Sequence, residues 1–220
     1  MLWTDESKFN SNGSDGKTYV RRRPGEEFNP KCTKATVKHD PISINVWGCM
    51  TSAGTGPIYR VKGMLDRHQY VDDILDGVVR PFVEQTLEED WVFQVFLSFT
   101  RKNSFFKADN DPKHASIKAK TYLSEQNWNV MKWPAQSPDL NPIEMLWIDL
   151  GKAINAWKNE IKATKKEPHR KLKETMEEKL FQVSKEAWAS IAAVRCANLV
   201  GSMKRRCLEV IKNKGMATSY

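Results

Sequence analysis

Two acidic segments in the second half of the chain carry residue types suited to metal-dependent chemistry. In the first, Asp109 follows the apolar run Ser104–Ala108, which is long enough for a buried strand. In the second, Trp133–Trp147, an Asn-Pro pair predicts a helix start and places Glu144 on the first turn. Mg²⁺ prefers oxygen ligands and takes only one or two carboxylates of its own. The pattern therefore favours a divalent-metal site between a strand end and a helix.

A third acid near the start of the chain, Asp5, would complete a two-metal site. It lies in a predicted strand, so the adjacent Glu6 should face the opposite side. Both of the later acids also have a non-catalytic interpretation. Asn141 followed by Glu144 resembles a helix capping box, worth about 1 kcal/mol, and Asp109 is an ordinary turn residue. The residue types alone leave these alternatives open.

With these residues in view, the sequence resembles the catalytic domain of the mariner/Tc-type transposases, a branch of the DDE superfamily. Between Asp109 and Glu144 lie 34 residues, which is the spacing of the Tc-type members. The resemblance rests on Trp3–Asn10, Thr36–His39 with Val46–Cys49, Asp109–His114, Trp133–Trp147 and, more weakly, Leu199–Cys207.

The resemblance implies that Asp5, Asp109 and Glu144 are the catalytic residues and bind two Mg²⁺ or Mn²⁺ ions. The implied activity is cleavage of phosphodiester bonds and strand transfer in DNA transposition and integration, with DNA as partner and the nucleus as location. Full-length members carry helix-turn-helix modules upstream, whereas only Met1 and Leu2 precede the first motif here. The alternative hypothesis is therefore a truncated, catalytically dead or co-opted DNA-binding relic. A ribonuclease of the same fold is a weaker option, because the proline-rich motif before Glu144 argues against it.

The expected fold is α/β, an RNase H-like mixed sheet of an antiparallel meander plus parallel strands, flanked by helices. Periodicity predicts helices over 66–88, kinked or divided at Pro81, and over 112–126. We expect residues 1–160 to form the catalytic core and 161–220 to form a basic helical part that packs on it.

Two apolar runs compete for the strand beside the Asp5 strand. Trp91–Gln94 resembles that strand, and Ser104–Ala108 resembles it again after residues 95–103, which we interpret as an insertion. Only the second run places Asp109 at its end, so the sequence favours the second.

Basic charge is concentrated in the last third of the chain. The net charge is +8, of which residues 1–150 contribute −1 and residues 151–220 contribute +9. A polyanionic partner such as DNA and a solvated lysine-rich helix explain this equally well. His114 is either a phosphate contact or an ordinary hydrogen-bonded histidine. The candidates for DNA contacts are Arg21, Arg22, Arg23, Lys113, His114, Lys204, Arg205 and Arg206.

The polar segment 11–41 is long for a loop inside a domain. In mariner-type relatives the matching segment is a clamp loop that contacts a partner subunit, so the resemblance predicts a homodimer; a surface hairpin is the alternative. No apolar run reaches the ~18 residues that span a bilayer, and we expect no membrane contact. The four cysteines are scattered and predict free thiols rather than a zinc site.

Overall fold

One mixed five-stranded sheet organises the molecule. The computed structural model describes residues 1–10, 21–33, 42–87, 91–94, 112–131, 133–134, 137–163 and 173–218. The strands, in spatial order β3-β2-β1-β4-β5, are β1 (Leu2–Asn10), β2 (Ser43–Thr51), β3 (Gly54–Val61), β4 (Val92–Gln94) and β5 (Asn129–Met131). β1, β2 and β3 pair antiparallel, whereas β4 and β5 continue the sheet in parallel. The predicted mixed sheet is confirmed.

Helices pack on both faces of this sheet. The helix predicted over 66–88 changes from π to α geometry just before Pro81, which has no amide proton to donate. The helix predicted over 112–126 is interrupted at Ser116, whose Oγ accepts from the Ala119 amide and caps the second part. The helices are a π-helix (Gln69–Val79), α1 (Arg80–Thr86), α2 (Pro112–Ala115), α3 (Ile117–Glu125), α4 (Ile143–Ala163), α5 (Lys173–Ala189), α6 (Ala193–Gly201) and α7 (Met203–Lys212), with 3₁₀ turns at Pro30–Cys32 and Pro138–Leu140. Within the described ranges, no helix combines the length and apolar character needed to cross a membrane.

The alternation of side chains along the strands divides the core into two layers. Leu2 and Trp47 face a layer that the π-helix and α3 close. Trp3 and Val46, their neighbours in sequence, face the opposite layer, which α4, α5 and α6 close. Leu180, Trp188 and other apolar residues of α5 and α6 share this second layer with α4. The boundary at residue 160 stays a prediction, although α5 and α6 do pack on the sheet.

The strand beside β1 corrects one expectation from the sequence. Phe93 pairs with Leu2 and Gln94 with Trp3, so the first apolar run takes this place, and the preference for the run 104–108 was wrong. The buried Gln94 fixes the pairing: its Oε1 accepts from the Thr4 amide at 3.2 Å, and its carbonyl accepts from Thr4 Oγ1 at 3.0 Å. The predicted insertion at 95–103 and Asp109 both lie outside the described residues.

Candidate metal centre

β1 presents Asp5 to the layer of α4. Asp5 lies between Trp3 and Phe9 in the alternating pattern, and those two side chains pack in the core layer that contains α4. Glu6 points to the opposite face, as the strand geometry predicts, and its Oε1 lies 3.2 Å from His114 Nε2. The strand therefore directs one carboxylate towards α4 and the next towards α2.

Asn141 connects the start of α4 to β1. Its side-chain Nδ2 donates to the carbonyl of Thr4 at 3.2 Å, directly beside Asp5, and its Oδ1 accepts from the Ile143 amide at 3.5 Å. The Glu144 amide donates to the Asn141 carbonyl at 3.2 Å. Because Asn141 is almost fully buried, these bonds hold the first turn of α4 against the strand residue next to Asp5.

The contacts of Asn141 also decide between the two interpretations of Glu144. In a capping box, the glutamate side chain would accept from the backbone amide of the cap residue. Here the Asn141 amide donates instead to the Pro138 carbonyl at 2.9 Å. The charge of the Glu144 carboxyl instead acts on Asp5 and raises its pKa, so two acids that are far apart in the sequence lie close together.

The pKa values of Asp5 and Glu144 are both raised, so each carboxyl holds its proton more tightly than usual. Burial, followed by the charges of Glu144 and Glu6, raises the pKa of Asp5 well above its ordinary value. Burial also raises the pKa of Glu144, and the hydrogen bond from Asp5 offsets only part of that effect. Because a bound cation favours ionised carboxylates, a divalent metal would relieve the cost of charging both groups.

Trp147 supports Asp5, although the sequence places it only in an apolar row. Its indole Nε1 donates to Asp5 Oδ2 at 3.1 Å, and its ring stacks on Trp188 of α5 with centroids 4.7 Å apart. Gly48, which pairs with Asp5 in the neighbouring strand, leaves room for the indole, since a Cβ at Gly48 would lie 2.7 Å from it. A glycine inside a strand often marks such a close approach, so Gly48 was the sequence feature that could have indicated a large side chain packed beside Asp5.

The third predicted ligand cannot be placed, because Asp109 lies outside the described residues. Within the described ranges, no group of three or more histidine, cysteine, aspartate or glutamate side chains is arranged to hold a metal ion. The described chain resumes at α2, where Lys113 and His114 are buried against Glu6, with Lys113 Nζ 3.7 Å from Glu6 Oε1. Burial would raise the pKa of Glu6, but the positive charges of His114 and Lys113 outweigh it and lower that pKa.

The other predicted DNA contacts divide by exposure. Arg21, Arg22 and Arg23 are exposed, and so are Lys204 and Arg205 of α7. Lys113 and His114 both contact the Glu6 carboxylate and present almost no surface to a ligand. Arg206 is 1% exposed and its guanidinium donates to the Asp139 carbonyl. For these three residues, burial argues against direct phosphate contact, because their charged groups already bind protein atoms.

A protein-family model described as DDE superfamily endonuclease matches residues 1–166. The chain is 37% identical over 219 residues to the transposable element Tc1 transposase of Caenorhabditis elegans, covering 100% of this chain and 70% of that protein. The chain belongs to the DDE superfamily endonucleases, in the Tc1/mariner family of transposases. It is also 36% identical to the Tcb1 transposase of Caenorhabditis briggsae, again over 70% of that protein.

Solved structures confirm the RNase H-like fold of this DDE domain. The catalytic domain of Mos1 mariner transposase matches with a TM-score of 0.60 at 14% identity, covering 99% of this chain and 83% of that one. The Mos1 mariner paired end complex with Mn matches with a TM-score of 0.65 at 18% identity, covering 99% of this chain. The DDE domain spans 56% of the Mos1 chain in that complex.

Proposed function

We propose that this DDE domain catalyses metal-dependent cleavage of phosphodiester bonds and strand transfer in DNA transposition. The observation that carries the proposal is the proximity of Asp5 on β1 and Glu144 on α4, whose carboxyls affect each other's pKa. Two carboxylates on separate rigid elements, with pKa values that burial raises, are the kind of donor set that holds catalytic cations.

The donor set fits Mg²⁺ or Mn²⁺. Asp5 and Glu144 offer hard oxygen ligands, and ionising both costs free energy that a cation would return. We infer that Asp109 is the third ligand, because its motif and its spacing from Glu144 match the family. The Mos1 relative in its paired end complex holds Mn, which supports the same class of metal here.

The protein residues would contribute orientation and a partly dry environment. Asn141 fixes the start of α4 against β1, and Trp147 fixes one oxygen of Asp5. When bound, two divalent ions would lower the pKa of a water or a 3′-hydroxyl and stabilise charge on the leaving oxygen. Because both supporting side chains are largely buried, the carboxyls keep their positions when they lose a proton.

Space for a DNA strand lies next to Glu144. A cavity of about 740 Å³ opens there, with Lys8 of β1 and Lys158 of α4 among its lining residues. These two lysines in the cavity lining supply positive charge for a phosphate backbone. The net charge of +9 on residues 151–220 supports DNA as the partner. We place the activity in the nucleus, because the substrate would be chromosomal DNA; a homodimer formed through residues 11–41 stays a prediction.

The test is cleavage of plasmid DNA by the purified chain with Mn²⁺. We expect non-specific nicking that Asp109→Asn and Glu144→Gln abolish, while Asp149→Asn, an acid on the same helix paired with Arg195, retains it. Activity that survives in Asp109→Asn would remove that residue from the site. If the wild-type chain and all three variants are well folded and equally inert, the relic hypothesis replaces this proposal.

A further inference from the structure

A buried arginine in α7 has no role in the proposed chemistry. Arg206 is 1% exposed. Its Nε donates to Ser202 Oγ at 3.0 Å, and its Nη1 donates to the carbonyl of Asp139 at 2.7 Å. A charged side chain is rarely buried unless hydrogen bonds satisfy it, so this contact is a specific one.

The carboxylate of Asp139 is held from the same end of the chain. Its Oδ2 accepts from the Thr218 amide at 2.7 Å, in the segment that follows α7. The backbone and the side chain of one residue are therefore both bound by the C-terminal segment 203–218. Asp139 lies in the 3₁₀ turn Pro138–Leu140, five residues before Glu144. We call this set of contacts, Arg206 and Thr218 on Asp139, the C-terminal clamp.

The clamped turn leads directly into the metal centre. It ends at Asn141, whose side chain binds the Thr4 carbonyl and whose own carbonyl accepts from the Glu144 amide. Leu140, between the clamp and Asn141, is buried. A shift of the turn would therefore move Asn141 and the first turn of α4 together, and with them the Glu144 carboxyl. Asp139, Glu144 and Thr218 also line the same cavity of about 740 Å³.

We propose that Arg206, with the Thr218 amide, is a positioning residue that holds the turn before α4 so that Glu144 stays beside Asp5. The inference rests on the proposed metal site and extends it to the C-terminal helix, beyond the residues 1–166 that the family model matches. It gives α7 a part in metal binding that is separate from the contribution of its exposed basic residues to DNA binding.

Mn²⁺ affinity, measured by isothermal titration calorimetry on the full chain, separates positioning from general packing. We expect Arg206→Met to raise the Mn²⁺ dissociation constant about five- to tenfold, since it removes a charged hydrogen bond to the turn. Arg206→Lys should recover part of the affinity, because its ammonium can still donate. Arg67→Met, which makes the same substitution at an exposed arginine outside the C-terminal helices, is the matched control and should leave the affinity unchanged. A folded Arg206→Met variant with wild-type Mn²⁺ affinity would overturn the proposal.

If Arg206→Met does not fold, the variant Asp139→Asn tests the same proposal through two measurements. Asp139→Asn leaves the carbonyl that Arg206 uses and weakens the bond from Thr218, so the dissociation constant should rise about twofold. Hydrogen exchange in a chelator, read at the amides of residues 139–145, should be faster in Asp139→Asn than in wild type. Unchanged exchange and affinity in this variant would also overturn the clamp. If Asp139→Asn exchanges faster but the wild-type chain binds no Mn²⁺, the result would support the C-terminal clamp and contradict the proposed metal site.

Discussion

Asp5 shows how a site residue can make the folded chain less stable. Burial and the neighbouring Glu144 raise its pKa, and the hydrogen bond from Trp147 offsets only part of the effect. The folded chain therefore holds a proton that the unfolded chain loses once the pH passes the ordinary value of 3.8. Stability falls as pH rises from the unfolded pKa through the raised folded pKa, because the unfolded state binds fewer protons over that window.

Asp5→Asn should therefore stabilise the metal-free protein at neutral pH. The amide keeps an oxygen for the Trp147 indole and carries no charge, so we expect a melting temperature about 2–5 °C above wild type at pH 7.5 in a chelator. The difference should shrink as the pH falls towards 3.8 and disappear well below it, where wild-type Asp5 is protonated in both states. Thermal unfolding followed by circular dichroism at both pH values measures it.

The control for this prediction is Asp149→Asn, which removes an ion-paired carboxylate from α4 and should give no stabilisation. Added Mn²⁺ should raise the melting temperature of wild type more than that of Asp5→Asn. A lower melting temperature for Asp5→Asn at pH 7.5 would contradict the electrostatic account of the pair.

At the scale of elements, β1 joins the helices on its two faces through consecutive acids. Asp5 meets α4, and Glu6 meets the start of α2 through Lys113 and His114. α2 begins three residues after Asp109, so chain length alone keeps the Cα of Asp109 within about 14 Å of the Cα of Lys113. The Glu6 contacts thus fix the end of the segment that carries the third predicted ligand.

Glu6→Gln should lower the free energy of unfolding by about 2 kcal/mol, because it removes the carboxylate beside the ammonium of the buried Lys113. The double variant Glu6→Gln/Lys113→Met should recover at least about half of that loss, since it removes both charges. Urea denaturation at pH 7 measures each value. Glu178→Gln on the exposed face of α5 is the control and should stay within about 0.5 kcal/mol of wild type. A full loss in the double variant would show that the pair contributes through shape rather than charge.

At the scale of the whole molecule, the C-terminal helices contact the elements that position Asp5 and Glu144. Trp188 of α5 stacks on the indole that binds Asp5, and its Nε1 donates to the Gly56 carbonyl of β3 at 2.9 Å. Arg206 of α7 holds the turn before Glu144. Basic residues of the described C-terminal helices therefore sit on elements that also complete the core. Lys204 and Arg205 of α7 are exposed and could reach DNA, whereas Arg206 is buried and could not.

The contrast between the exposed Lys204 and Arg205 and the buried Arg206 predicts how salt should affect DNA binding. Replacing the exposed Lys204 and Arg205 with alanine should weaken binding to any duplex sequence and lower the slope of log affinity against log salt by about 2, one unit for each phosphate that the variant no longer neutralises. Fluorescence anisotropy over a salt series measures the slope. The exposed pair Lys62 and Arg67, outside the C-terminal helices, provides the matched control. An unchanged slope in the Lys204/Arg205 variant would favour the solvated-helix interpretation of the basic charge.

The sequence by itself determined the family and the mixed sheet, because short motifs with fixed spacing encode local geometry. The assignment of Asp5, Asp109 and Glu144 as the site stays a prediction. The sequence also put Glu6 on the face opposite Asp5, since strand alternation has a period of two. It failed where two segments had equal local claims, as with the runs at 91–94 and 104–108, because only the buried hydrogen bonds of Gln94 to Thr4 choose between them. Tertiary structure alone decided that Trp147 contacts Asp5, that Arg206 contacts the turn before Glu144, and that the Asn141 amide binds the Pro138 carbonyl rather than the Glu144 side chain. Those roles depend on contacts between residues distant in sequence, which no local pattern specifies.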